Sequence, residues 1–243
     1  MRKLGGKRYW LVGASEGLGR ALAHKLSEAG VDVVVSARSQ ERLDALAAEL
    51  PGPAQAVACD VASRESCVAA AEAAGDIDGI VFLAGLYWPM STTDWDAEQA
   101  ETMADINFTG AFRAIGAVMP QFLERGRGHV VITGSLSGFR GLPRALGYSA
   151  SKAGVMALAE SMYSDLRGSG IDVQVANPGF IKTRLTDKNS FQMPFLMTPE
   201  DAADHMLRHM RSHRFKVSFP WAFSLLFRFS QFWPDWLYYR VFR

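Results

Sequence analysis

The 243-residue sequence has little cysteine, no long uninterrupted apolar run and almost no excess of either charge. Its two cysteines, Cys59 and Cys67, are too few for a disulfide framework. That scarcity predicts a reducing, cytoplasmic setting. The apolar runs stop well short of the roughly 20 residues of a membrane-spanning helix. The basic start passes through four apolar residues, 9–12, directly into a glycine loop, so it reads as a first strand rather than a secretory signal. Lys and Arg number 26 against 25 acids, a net charge of +1, which argues against a nucleic-acid partner. Internal repeats and low-complexity segments are also missing. What remains, 49% apolar and 21% charged, is enough for a sizeable core and excludes global disorder.

Short β-branched runs at 9–12, 31–36, 55–59, 79–83, 129–133 and 171–176 alternate with Ala-rich helical patterns at 17–29, 40–50, 63–74, 97–125 and 147–168. The strand runs are mostly continuous rather than alternating, as in a parallel sheet covered on both faces. The alternation predicts an α/β fold with a doubly wound parallel sheet and three α/β/α layers. Residues 1–197 read as a dinucleotide-binding and catalytic domain with a substrate loop. Residues 198–243 read as a helix, a last strand and an aromatic extension of the same domain.

Between the first strand and first helix lies Gly13-Ala-Ser15-Glu16-Gly17-Leu18-Gly19. Glycines there let the backbone turn tightly and let a pyrophosphate approach, while the free N–H groups of the helix start hold the anion. The head of a βαβ unit is the context such a motif requires. Three residues separate the first two glycines and one separates the last two. Further along, Tyr148-Ser-Ala-Ser-Lys152 puts a phenol and an amine four residues apart, on one face of a helix. Ser135 lies thirteen residues upstream, and Asn107 sits in Asp105-Ile-Asn-Phe-Thr-Gly110.

In order and spacing these motifs resemble the short-chain dehydrogenase/reductase family, whose fold is Rossmann-type. The resemblance runs from residue 9 to about residue 183. It implies a catalytic set of Asn107, Ser135, Tyr148 and Lys152. It further implies that Asp60 and Val61 flank the adenine, and that Pro178, Gly179, Ile181 and Thr183 meet the nicotinamide end together with Tyr148 and Lys152. Members often carry Asn-Asn-Ala-Gly after the fourth strand. Here Phe82-Leu-Ala84-Gly85 stands in its place, and Ala84 and Gly85 keep the backbone path. The resemblance also implies a homodimer or homotetramer built on helices 107–125 and 147–168.

A free phenol has a pKa near 10. The Lys152 ammonium and an oxidised nicotinamide are expected to favour the phenolate. Tyr148 is then the acid in carbonyl reduction and the base in alcohol oxidation, with Ser135 on the substrate oxygen. By the resemblance, Lys152 also holds the nicotinamide ribose and Asn107 anchors a water. A carboxylate normally holds a free adenosine 2′-hydroxyl at the end of the second strand. Ala37 occupies that place and Arg38 follows, which favours NADP(H) over NAD(H).

Tyr87, Trp88, Leu136, Phe139, Phe180, Phe191 and Met193 are the expected pocket side chains, suited to an apolar, lipid-like ketone or secondary alcohol. Arg140 and Arg144 read as solvated. His205, His209 and His213 recur every four residues, yet the implied chemistry needs no metal. Residues 215–242 hold 12 of the 27 aromatics. Wound as a helix, the stretch 219–234 puts Ser224, Arg228, Gln231 and the following Asp235 on a single narrow stripe. Such a helix buries its apolar surface in its own pocket, on a partner subunit, or peripherally at the inner face of a membrane. The function expected is a ketone/alcohol oxidoreductase. The alternatives are a 3-oxoacyl-thioester reductase and a dinucleotide-sensing binding protein without turnover.

Overall fold

The apolar runs become strands because both of their faces are covered. The computed structural model describes residues 1–188 and 191–242. In it, β1 (Arg8–Val12), β2 (Asp32–Ala37), β3 (Ala54–Ala58), β4 (Gly79–Phe82), β5 (Gly128–Thr133), β6 (Ile171–Pro178) and β7 (Lys216–Phe219) form one sheet. All seams are parallel, in the order β3-β2-β1-β4-β5-β6-β7. The helices are α1 (Gly17–Glu28), α2 (Gln40–Glu49), α3 (Arg64–Ala74), α4 (Ala97–Ala104), α5 (Gly110–Arg125), α6 (Leu146–Asp165), α7 (Pro199–Arg211), α8 (Trp221–Ser230) and α9 (Asp235–Val241). Ser39, Ser63, Asp96 and Thr198 cap α2, α3, α4 and α7 through their side chains.

Successive strand residues point to two separate apolar layers. Trp10, Val12, Ile80, Phe82, Val130 and Ile132 pack with Cys67 and Ala70 of α3, Val118 and Phe122 of α5, and Val155 of α6. On the other face, Tyr9, Leu11, Val33, Val35 and Val131 pack with Leu22 and Leu26 of α1, Leu43 and Leu46 of α2, and Met206 of α7. Each fully buried Leu or Phe contributes about 1.5–3 kcal/mol. The chain leaves β3 and crosses β1 to enter β4, so the sheet order reverses between β1 and β4. Beyond their C-terminal ends the loops part and leave a crevice.

Two helical expectations are corrected. The stretch 97–125 is not one uniform helix: a π-helical turn at Asp105–Thr109 joins α4 to α5. Asn107 sits in that turn and bonds across to Leu86 and Ser151, partners that a periodicity pattern does not contain. The stretch 219–234 is helical only over α8, and Pro234, with no N–H to extend it, instead begins α9.

Candidate functional site

The glycine loop leaves β1 with Gly13 at φ +95, a backbone region that side chains rarely adopt. A Cβ there would lie 2.5 Å from the Ala84 nitrogen, and one on Gly19 would lie 2.1 Å from the Gly13 carbonyl oxygen. These close approaches press the loop against the end of β4 and open a cavity of about 300 Å³ over the start of α1. Ser15, Glu16, Gly17 and Leu18 line it beside Gly13 and Gly19. Arg38, Asp60, Val61, Ala84 and Gly85 form one end and side. Tyr148, Lys152, Pro178, Gly179, Ile181 and Thr183 form the other. Thr133 also lines the cavity, and its buried Oγ1 has no hydrogen-bond partner. A glycine cradle at a helix start together with an unused polar atom fits a dinucleotide.

Around the far end, α6 presents Tyr148 and Lys152 one turn apart. Lys152 is buried, and its Nζ donates to the Thr133 carbonyl oxygen at 2.9 Å, 5.8 Å from the Tyr148 ring centre. Ser135 ends the strand-to-turn segment after β5, and its Oγ accepts from the Ser137 hydroxyl at 2.9 Å. Asn107 is fully buried. Its Oδ1 accepts from the Leu86 N–H at 2.6 Å, and its Nδ2 donates to the Leu86 carbonyl at 2.9 Å and to Ser151 Oγ at 3.0 Å. A second, apolar cavity of about 130 Å³ adjoins this group, lined by Tyr87, Ser135, Leu136, Leu142, Tyr148, Phe180, Phe191, Phe223 and Phe227 among others.

Residues 7–193 match the family model described as short chain dehydrogenase. The chain belongs to that family. An uncharacterized oxidoreductase of Myxococcus xanthus strain DK1622 is 39% identical over 236 residues, covering 93% of this chain and 92% of the relative. An actinorhodin polyketide ketoreductase solved with NADPH superposes with a TM-score of 0.79 at 26% identity, over 88% of this chain and 95% of that one. A 3-oxoacyl-[acyl-carrier protein] reductase from Brucella melitensis with bound NAD shares the fold, with a TM-score of 0.80 at 24% identity over 89% of this chain and 90% of that one. This short-chain dehydrogenase is therefore an oxidoreductase with the Rossmann-type sheet.

Its electrostatics depart from expectation at the phenol. Burial pushes Tyr148 up to about 12, against the opposing pull of a hydrogen bond with Ser135, and the neighbouring Tyr87 raises it further. Burial pushes Lys152 down to about 8. The amine is turned towards the Thr133 carbonyl, so desolvation outweighs any help it gives the phenolate. At the loop, the Glu16 carboxylate is met by Arg184 at 2.9 Å and Arg42 at 3.5 Å. Its charge therefore does not stand alone beside the exposed Arg38.

Three expected pocket residues lie elsewhere. Trp88 lies under Lys188, whose Nζ is 4.7 Å from the ring centre. Phe139 follows the turn at Leu136–Gly138 and packs below α8 instead. Met193 is half-buried outside the cavity wall. Phe223 and Phe227 of α8, spaced four apart in the extension, supply pocket wall that the sequence reading left unassigned. Arg140 is not solvated: it donates to the carbonyls of Ser230 at 2.7 Å and Trp233 at 2.9 Å, and pairs with Asp235. The three histidines of the 205–213 series do not converge. His205 stacks on Phe219 at 4.8 Å and His209 is buried. Among the described residues no cluster of three or more ligands is gathered for a metal.

Proposed function

We propose that the protein is an NADP(H)-dependent reductase that interconverts an apolar, lipid-like ketone and its secondary alcohol. One observation carries the reading: Tyr148 stands in the wall of both the glycine-cradled cavity and the apolar one. A proton donor at that boundary faces the coenzyme on one side and a carbonyl on the other. The bound nicotinamide supplies the hydride. Tyr148 gives its proton to the carbonyl oxygen, and the Ser135 hydroxyl hydrogen-bonds the same oxygen as charge develops on it. Lys152 holds the ribose hydroxyls. Asn107 fixes the Gly85-Leu86 backbone beside Lys152 and anchors the water that links it to solvent. Arg38 grips the 2′-phosphate, which favours NADP(H) over NAD(H).

The phenol's environment suits a proton donor. At neutral pH a group pushed up to about 12 is protonated, which is the state a proton donor needs. The ketoreductase solved with NADPH supports the same chemistry, though on its own substrate. Subunits are proposed to meet through α5 and α6, whose outer faces expose Phe112, Leu123 and Tyr163.

The test is a panel of ketones mixed with NADPH, following loss of nicotinamide absorbance. Acyl-chain ketones should react while small polar ones fail. Tyr148→Phe should keep NADPH binding and lose about 10²–10⁴-fold in turnover. Near-normal turnover in that variant would refute the acid role.

A further inference from the structure

The extension carries apolar side chains on both of its faces. Its inward face carries Phe223, Phe227 and Tyr238, and with them Ser224 and Ser230, all buried. Three of the four polar stripe residues read from the sequence are partnered within the chain. Ser224 Oγ donates to the Trp221 carbonyl, Gln231 donates to the Phe139 carbonyl at 2.8 Å, and Asp235 is taken by Arg140. The outward face is aromatic: Trp221, Phe229, Phe232, Trp236 and Tyr239 are 58–83% exposed. The ridge continues on the substrate loop, where the exposed Phe195 packs against Phe223 with ring centres 5.4 Å apart. Phe191, also exposed, lines the apolar cavity.

These aromatics cannot turn inward without breaking what holds the segment. The Arg140 guanidinium bonds two of its carbonyls, and Tyr238 donates to the Gly141 carbonyl at 2.7 Å. The occupant must therefore come from outside, and the charges indicate which. Asp235 is the only acid between 220 and 242, and it is neutralised by Arg140. Arg228 and Arg240 are exposed and have no carboxylate partner among the described residues. A two-fold contact with a second copy would set these arginines against their equivalents with no free acid in the patch. A surface of lipid phosphates would pair with them, while Trp and Tyr rings sit at headgroup depth. No described helix is long and apolar enough to cross a membrane, so contact would be from one side.

We propose that α8 and α9 dock the protein on an anionic lipid surface through Trp221, Phe229, Phe232, Trp236 and Tyr239, with Arg228 and Arg240 on the phosphates. This goes beyond the reductase reading and does not depend on it. The full chain is sedimented with phosphatidylcholine vesicles, with and without phosphatidylglycerol. It should pellet with the anionic vesicles, with a blue shift of tryptophan emission that high salt weakens. The triple variant Trp221→Ser/Phe232→Ser/Trp236→Ser should lower the bound fraction at least tenfold. Arg228→Glu/Arg240→Glu should abolish the preference for phosphatidylglycerol. Circular dichroism and thermal unfolding report whether each variant is folded, independently of catalysis. A wild-type chain that stays in the supernatant overturns the proposal. So does a concentration-dependent dimer lost in the triple variant without vesicle binding, which would make this face a contact between copies. If no ketone is reduced but the vesicle result holds, only the reductase reading fails.

Discussion

Replacing Arg140 with alanine should release the C-terminal helices while leaving the sheet intact. Arg140 sits in the loop after Ser135 and reaches residues 90–95 positions away, at Ser230, Trp233 and Asp235. Hydrogen bonds from a charged donor contribute about 1.5–3 kcal/mol each. The guanidinium also lies 4.0 Å from the Tyr238 ring centre, adding roughly 0.5–1 kcal/mol. Asp235 is 84% exposed, so its ion pair contributes little. Non-additivity brings the total to about 3–4 kcal/mol, a rise of roughly 10²–10³-fold in the opening equilibrium of residues 221–242. Hydrogen exchange read by mass spectrometry resolves this, with peptides from β4 and β5 as the internal reference. Peptides from 221–242 should exchange faster by that factor and the reference should not move. Phe223 and Phe227 leave with the segment, so KM for an acyl-chain ketone should rise more than kcat falls. Arg140→Lys should behave nearly as badly, since one ammonium cannot bridge two carbonyls and stack on a ring. Unchanged protection of 221–242, or equal loss across the sheet, would refute the latch.

Other perturbations test the cofactor cavity and the core. Arg38→Glu should raise KM for NADPH about ten- to a hundredfold and leave KM for NADH nearly unchanged; parallel changes for both would remove Arg38 from the 2′-phosphate. Gly19→Ala puts a methyl 2.1 Å from the Gly13 carbonyl oxygen, so NADPH affinity in a fluorescence titration should fall at least tenfold; unaltered affinity would mean that the loop tolerates a side chain. Buried His209 is pushed down to about 4, mainly by burial. It stays neutral in the folded chain, whereas unfolded histidine takes a proton near pH 6.5. Its stabilising effect is therefore full above pH 6.5 and fades as pH falls toward 4, by about 2 kcal/mol between pH 7 and pH 5. Urea unfolding at the two pH values should show that loss reduced in His209→Gln; equal losses in both proteins would count against the assignment.

The layers were legible because strand and helix patterns repeat in strict alternation, and because Gly13, Gly17 and Gly19 fall where a strand meets a helix. The residues expected around the coenzyme all line one cavity for the same reason: the ends of parallel strands bring their loops to one side of the sheet. What was hidden depends on contacts remote in sequence. Periodicity cannot show the π turn at Asn107, which bonds to Leu86, twenty-one residues away. It cannot show Arg140 meeting Ser230 either. The extension's anchoring was equally hidden: Gln231 bonds the Phe139 carbonyl and Asp235 pairs with Arg140, both about ninety residues away. The Tyr148 shift turned on burial outweighing the hydrogen bond with Ser135, and depth of burial is set only by the folded loops.

The wall shared by the two cavities constrains how such a protein can change its diet. Enlarging either chamber at Tyr148 would displace the proposed proton donor itself. Phe223 and Phe227 lie on the opposite side of that constraint: they touch no part of the glycine cradle and fall beyond residue 193, where the match to the family ends. Trimming or bulking those two rings would thus reshape the apolar chamber and leave the wall of the other one as it is.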